Sequence, residues 1–249
     1  MLLLIDAGNT RVKWALARDS AAPGAWDAHG AVSHAGLDAA AAAWHGQGVT
    51  RALVSNVAGA ALRARLAALL QPIGTEWFAS SAERAGLVNG YREPERLGCD
   101  RFAAAIGARA LAPGQALVVA TCGTATTVDA VSGEGRFVGG MILPGLALMA
   151  GALAKNTAQL PQAAPGAAPP PLFADNTNDA IVSGCLSAQA GAIERAVAAH
   201  GGALCILSGG AAPYVAPALA CRHRVVDNIV LVGLHAVALA SMPMGDRTC

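Results

Sequence analysis

Two stretches of this chain share one layout. "LLLIDAGNTRVKWAL" (2–16) and "ALVVATCGTATTVDAV" (116–131) each run from an apolar strand into a small glycine turn and out along an alternating strand. Period-two alternation flanking a glycine turn is hairpin periodicity. A supersecondary unit used twice points to a duplicated architecture, so two α/β halves are expected, each opening with a hairpin. A length of 249 residues accommodates them. Pro113–Gly114 punctuates the chain between the two stretches, which sets the expected domains at 1–114 and 115–249.

The remaining elements follow from pattern. Ala31–Val32 and Arg51–Ser55 read as strands, with an Ala-rich helix between them at Leu37–Trp44. Ala58–Leu70 reads as a helix ended by Pro72. Pro94 and Gly98 make the first part of "NGYREPERLGCDRFAAAIGARAL" a loop, with Cys99 or Asp100 expected to cap a helix over Arg101–Leu111. Thr177–His200 and Ile229–Ala240 read as helices, and "LCILSGGAAP" as a strand with a glycine turn. Gln162–Pro171 is a Pro/Ala loop, expected to be mobile. A cleft between the two halves is the expected ligand site.

Composition excludes several classes. Net charge is +1, and 15 of the 17 basic residues are arginines scattered along the chain, so no nucleic-acid footprint is present. Six cysteines occur without a C-x-x-C pair, which argues against a zinc site or a disulfide framework and for reduced thiols in the cytoplasm. Asp6 interrupts the opening apolar run, so no leader peptide is expected. Phe137–Ala154 is uncharged and long enough to span a bilayer. Its glycines and Pro144 favour a strand, a turn and a buried helix, and no membrane partner is expected.

The first turn carries more chemistry than a hairpin needs. Gly8 lets backbone approach an anion. Successive amides, with the Asn9 and Thr10 side chains, can face phosphate oxygens, and Arg11 and Lys13 can add charge. Asp6 would repel phosphate unless a divalent cation lies between; magnesium held by one carboxylate through water suits that position. An ordinary hairpin with an Asx turn accounts for the same residues equally well. "CGTATTVD" supplies Gly123 and Thr124 to a second such turn. At "GCDRF", Asp100 reads either as an exposed cap or as a base toward a substrate hydroxyl. Arg101 beside it would grip an anionic group as a planar fork.

In order along the chain, "DAGNTRVK", "NGYREPERLGCDRFAAAIGA", "CGTATTVD", "FVGGMILPG", "NTAQLP" and "NTNDAIVSG" resemble the type III pantothenate kinases. These bacterial enzymes open coenzyme A synthesis, and their family includes proteins first named as accessory factors of a virulence regulator. The resemblance implies the duplicated actin-like/Hsp70-like/sugar-kinase fold (ASKHA, ribonuclease H-like), with ATP between two α/β domains. It implies a first phosphate loop of Asp6, Ala7, Gly8, Asn9, Thr10, Arg11, Val12 and Lys13, and an ATP contact from Thr124. Tyr91, Gly98, Cys99, Asp100 and Arg101 would bind pantothenate, with Asp100 as proton acceptor, and Thr177 matches a further pantothenate-binding threonine. Mg2+ would accompany ATP at Asp6. A homodimer is implied, in which the partner subunit helps close the substrate site. Many members require potassium or ammonium and carry an aspartate three residues before the threonine matching Thr124. Here that position is Thr121. Rival readings are another enzyme on this fold, such as a sugar or acetate kinase or an exopolyphosphatase, and a regulator that keeps the fold and has lost catalysis.

Overall fold

The structure is a computed structural model that describes residues 1–166 and 168–241. It divides into two compact units. Unit 1 comprises Met1–Pro113, Gly135–Phe137 and Asn228–Cys249, its described part ending at Ser241; unit 2 comprises Gly114–Glu134 and Val138–Asp227.

Unit 1 opens with β1 (Leu2–Ala7), β2 (Arg11–Ala17) and β3 (Ala28–Ser33), an antiparallel meander. Helix α1 (Leu37–His45) carries the chain back so that β4 (Arg51–Asn56) lies parallel to β1. Helix α2 (Ala60–Leu69) does the same for β5 (Gly74–Trp77), and the strand order is β3-β2-β1-β4-β5. Every residue of β1 is buried, which is why Leu2–Ile5 are a continuous apolar run and not an alternation. Leu3, Ile5, Val12, Leu37, Trp44, Val54 and Leu66 form the core around it. The short antiparallel strands β6 (Glu83–Arg84) and β7 (Leu87–Asn89) follow, then α3 (Cys99–Leu111).

Unit 2 repeats the plan. Strands β8 (Leu117–Cys122) and β9 (Ala125–Val131) form the second hairpin, and β10 (Arg136–Pro144) lies beside β9. The first residues of β10, Arg136 and Phe137, belong to unit 1 and pair in parallel with Val88 and Asn89 of β7. After α4 (Leu146–Asn156) and α5 (Thr177–Ala199), β11 (Leu204–Ser208) lies parallel to β8. Helix α6 (Ala212–Val215) leads to β12 (His223–Val225), parallel to β11. The order β10-β9-β8-β11-β12 has the same handling of hairpin and crossovers as β3-β2-β1-β4-β5. The duplication expected from the two hairpin sequences is thus present at the level of topology.

Helix α7 (Ile229–Ala240) packs in unit 1 against α3. The division at 114/115 had grouped this segment with the second half. The two helices touch through backbone. A Cβ on Gly107 would lie 2.5 Å from the Ile229 carbonyl oxygen and 2.7 Å from the Gly233 nitrogen, and one on Gly233 would collide with the Ala103 carbonyl. A methyl at either position would push the helices apart; overpacking of this kind costs about 1–3 kcal/mol or more. Helix α3 is buried continuously from Arg101 to Ala108, so α7 fixes the helix that carries Asp100 and Arg101.

Two expectations need correction. The N-cap of α3 is Gly98, without a side-chain cap; Cys99 and Asp100 lie inside the first turn. Helix α4 is not a buried helix: only Leu146 and Ala150 are buried, while Leu148 and Leu153 are exposed. The sequence also carried no signal for β5, β6, β7, α6 or β12, each only two to four residues long. Among the described residues no helix is long and apolar enough to cross a membrane. The described residues of the Pro/Ala stretch are neither helix nor strand; Ala167 and Cys249 lie outside the described residues. The other five cysteines are free thiols.

Candidate active site

The start of α3 brings Cys99, Asp100 and Arg101 together with Ser55 and Tyr91. Asp100 is half-buried, and its Oδ1 accepts the Arg101 backbone N–H at 2.8 Å, satisfying one of the amides the helix start leaves open. A Cβ at position 98 would lie 2.7 Å from that oxygen, so Gly98 is needed for space: any side chain there displaces the carboxylate. Burial pushes the Asp100 carboxyl above its ordinary range, against the opposing pull of the Arg101 amide and guanidinium. Cys99 Sγ lies 3.3 Å from Ser55 Oγ and donates to the Asn56 carbonyl at 3.7 Å, tying the helix start to the end of β4. Burial raises this thiol too, so it is a poor nucleophile at neutral pH.

Arg101 is buried, and its Nη1 donates to the Tyr91 hydroxyl at 2.8 Å. The guanidinium stands 5.6 Å from the Tyr91 ring centroid and 5.8 Å from that of Phe137. The two rings meet edge to face at 5.7 Å. This aromatic corner orients the cation through ring quadrupoles as well as the phenol.

The β1–β2 turn supplies the second cluster. Asp6, 6% exposed, faces Lys13 across the hairpin register, with Lys13 Nζ 3.7 Å from its Oδ2. Burial raises its carboxyl from 3.8 to about 6; Lys13 pulls it down and Asp100 pushes it up. Two carboxylates that feel each other while sharing one lysine would gain from a further cation. Among the described residues there is no group of three or more His, Cys, Asp or Glu that could hold a metal ion. A magnesium ion at Asp6 would therefore be completed by nucleotide and water oxygens, which fits its usual coordination.

The turn differs from expectation in two donors. The Gly8 N–H closes the hairpin onto the Arg11 carbonyl at 3.1 Å, and the Arg11 Nη2 donates to the Ala31 carbonyl at 3.1 Å across β2–β3. Both are committed within the fold. Asn9 and Thr10 are exposed at the tip, Ala7 and Val12 are buried strand ends, and Lys13 is the cation nearest Asp6.

Thr124 and Thr177 lie in unit 2. Thr124 is exposed in the β8–β9 turn, where its carbonyl accepts the Gly145 N–H at 2.9 Å. A Cβ on Gly145 would collide with the Gly123 carbonyl, so this turn and the start of α4 are in backbone contact. Thr177 is the first residue of α5, whose N-cap Asn176 accepts the Asp179 N–H at 3.0 Å. It lines a groove of about 890 Å3 between α4 and α5, walled by Pro144, Met149, Leu153, Ile181 and Cys185. Thr121 is half-buried, the penultimate residue of β8 as Asp6 is of β1.

Sequence reasoning missed four residues that hold these clusters. Ser55, Asn89 and Phe137 touch Cys99, Tyr91 and Arg101. The His34 ring Nε2 lies 3.0 Å from the Gly8 carbonyl, bracing the first turn. A polar residue at a strand end, as Asn89 is, or next to one, as Ser55 is, was the one available signal.

The family pattern of type III pantothenate kinase matches residues 2–199. The chain is 56% identical to a type III pantothenate kinase of Herminiimonas arsenicoxydans over 256 residues, covering 98% of this chain and 99% of that one. It is 57% identical to a type III pantothenate kinase of Janthinobacterium sp. (strain Marseille) over 258 residues, with the same coverage. Among solved structures, a Campylobacter jejuni protein described as a Baf-family transcriptional activator superposes with a TM-score of 0.63 at 19% identity, covering 94% of this chain and 96% of that one. The activator of 2-hydroxyisocaproyl-CoA dehydratase from Clostridium difficile, solved with ADPNP, superposes with a TM-score of 0.54 at 12% identity over 96% and 92% of the two chains. The structural likenesses carry the fold, a duplicated α/β fold of the ASKHA type. With the sequence matches along nearly its whole length, the chain belongs to the type III pantothenate kinase family.

Proposed function

We propose that this protein transfers the γ-phosphoryl group of ATP to the primary hydroxyl of pantothenate, the first step of coenzyme A synthesis. The observation that carries the residue-level reading is the corner at the start of α3. There a half-buried Asp100 with a raised pKa adjoins an Arg101 held by Tyr91 and Phe137. Pantothenate needs both halves of such a corner, because it has a hydroxyl to deprotonate and a carboxylate to hold.

Phosphoryl transfer depends mainly on positioning and charge neutralisation. Asp100 orients the acceptor hydroxyl and takes its proton. A carboxyl raised above its usual range is the better base near neutral pH. Arg101 holds the pantothenate carboxylate with a fork matched to it, and Tyr91 keeps that fork in place. Cys99 and Gly98 set the height of the helix start. At the first turn, Lys13 and the donors of Asn9 and Thr10 face the nucleotide phosphates, and Thr124 contacts the nucleotide from the second turn. Bound at Asp6, Mg2+ would supply neutralising charge to the phosphate oxygens. Thr177 contributes to pantothenate binding, in an assembly where the partner subunit helps close the site.

That assembly is a homodimer on our reading. Unit 2 exposes Val138, Met141, Ile142, Leu148, Leu153 and Phe173, the last at 91%, apolar side chains that a second subunit would cover. Free thiols at the five described cysteines support a cytoplasmic location. With Thr121 in place of a carboxylate, potassium or ammonium has a weakened site, because most of the Coulomb attraction for a monovalent cation is absent.

The test is product identification. Purified protein with MgATP and pantothenate should yield pantothenate phosphorylated on its primary hydroxyl, identified by mass spectrometry and phosphorus NMR. Phosphate appearing only in solution would mean ATP hydrolysis without transfer and would defeat the proposal.

A further inference from the structure

We infer that Asn89 is a positioning residue for acceptor binding: it sets the loop that presents Tyr91, and through Tyr91 the fork of Arg101. The inference rests on the reading of Tyr91 and Arg101 as the acceptor-binding pair.

Asn89 ends β7 and is buried, 6% exposed. Its Nδ2 donates to the Ser81 carbonyl at 3.1 Å and to the Pro94 carbonyl at 2.9 Å. Its Oδ1 accepts the Tyr91 backbone N–H at 3.1 Å. One planar amide therefore joins three chain segments: the approach to β6, the Tyr91 residue, and the Pro94–Arg96 turn that runs into Gly98. Its backbone N–H is bonded to the Ala82 carbonyl at 2.8 Å, so the side chain has little freedom to leave. The next residue is pinned as well. Gly90 N–H donates to the Phe137 carbonyl at 2.9 Å, and a Cβ on Gly90 would collide with that oxygen. The loop from Tyr91 to Leu97 has no strand pairing of its own; it has the 3-10 turn Pro94–Arg96 and these side-chain bonds. Its far end delivers the α3 start, and its near end delivers the phenol that accepts from Arg101 Nη1.

No other residue type reproduces the pattern. Aspartate would turn both donors into acceptors facing two carbonyls. Leucine would leave two carbonyls and an amide without partners. Serine can serve one of the three. Asn89 acts on the substrate only through the segments it holds: directly through Tyr91, and at the Pro94 carbonyl through the turn that leads to the α3 start.

A double-mutant cycle tests this on the full-length protein. Steady-state kinetics with pantothenate and MgATP are measured for wild type, Asn89→Ala, Tyr91→Phe and the double variant. Each single change should raise KM for pantothenate about ten-fold, the weight of one well-placed hydrogen bond, and change KM for ATP less than about two-fold. The double variant should resemble the worse single one, because both remove the same arrangement. Asn89→Ser, which keeps one donor, should fall between wild type and Asn89→Ala, and replaces it in the cycle if Asn89→Ala does not fold. Effects that multiply in the double variant, or that fall equally on both substrates, would overturn the inference and leave Asn89 a merely structural residue. If Tyr91→Phe raises KM and Asn89→Ala does not, Asn89 alone is wrongly assigned. If Tyr91→Phe leaves KM for pantothenate untouched, the acceptor reading of Tyr91 fails and this inference fails with it.

Discussion

Replacing Asp6 by asparagine should make the ligand-free protein more stable at pH 8 while disabling it. Asp6 is buried at the end of β1 with Lys13 3.7 Å away, and its carboxyl is raised to about 6. In the unfolded chain the same group titrates near about 3.9. The native state thus holds the proton more tightly. Stability is full below the unfolded value and declines as pH rises through the folded one. Two pH units of separation at about 1.36 kcal/mol each amount to about 3 kcal/mol lost between pH 4 and pH 8. Asparagine keeps the shape and removes the charge; the pull of Lys13 is already contained in the raised carboxyl. Asp6→Asn should therefore gain about 1–3 kcal/mol at pH 8, or about 3–10 °C in thermal midpoint for a chain of this size. At pH 4.5 the difference should have shrunk to about a third of its value at pH 8. Thermal denaturation of both from pH 4.5 to 8.5, without nucleotide, makes the measurement. In parallel, magnesium-dependent ATP use by Asp6→Asn should fall sharply. A variant less stable than wild type at pH 8, or a difference independent of pH, would refute the reasoning.

Three further outcomes are expected. Asp100→Asn retains the oxygen that accepts the Arg101 amide but cannot take a proton. Its kcat should fall about two to four orders of magnitude with an unchanged circular dichroism spectrum; near-normal turnover would remove Asp100 as the base. Arg101→Leu should weaken pantothenate by about 2–5 kcal/mol, the scale for a truncated buried charge pair, read as a rise in its KM far exceeding that for ATP. In Tris or sodium buffer at constant ionic strength, adding potassium or ammonium should change activity little; a large saturable activation would reveal a cation site that does not need a carboxylate at position 121.

The parts of the fold legible in the sequence are those in which one physical requirement dominates several residues. Strand β1 is buried on both faces, so its apolar run was unambiguous, and the two hairpins announced the duplication that the two strand orders carry. Helix α3 was legible from its alanines and from Gly98. By contrast, β6 and β7 are too short for a period to show. The partners of Asn89 and His34 could not be read because they are backbone groups, which any sequence supplies. Hydrophobicity was read as burial for α4, but an apolar residue need not be inside, and Leu148 and Leu153 lie on the surface. At the first turn the residue types were legible, but not which donors stay available: the Gly8 amide and an Arg11 guanidinium N–H bond within the fold.

The central claim is that the corner of Asp100, Arg101 and Tyr91 selects pantothenate as the phosphoryl acceptor. The most direct measurement is ADP release by the purified protein with MgATP and, in turn, pantothenate, a panel of hexoses, and acetate. The expected result is release that depends on pantothenate, saturates with it and is absent with the others. Release driven by a sugar or by acetate, with pantothenate inert, would contradict the claim.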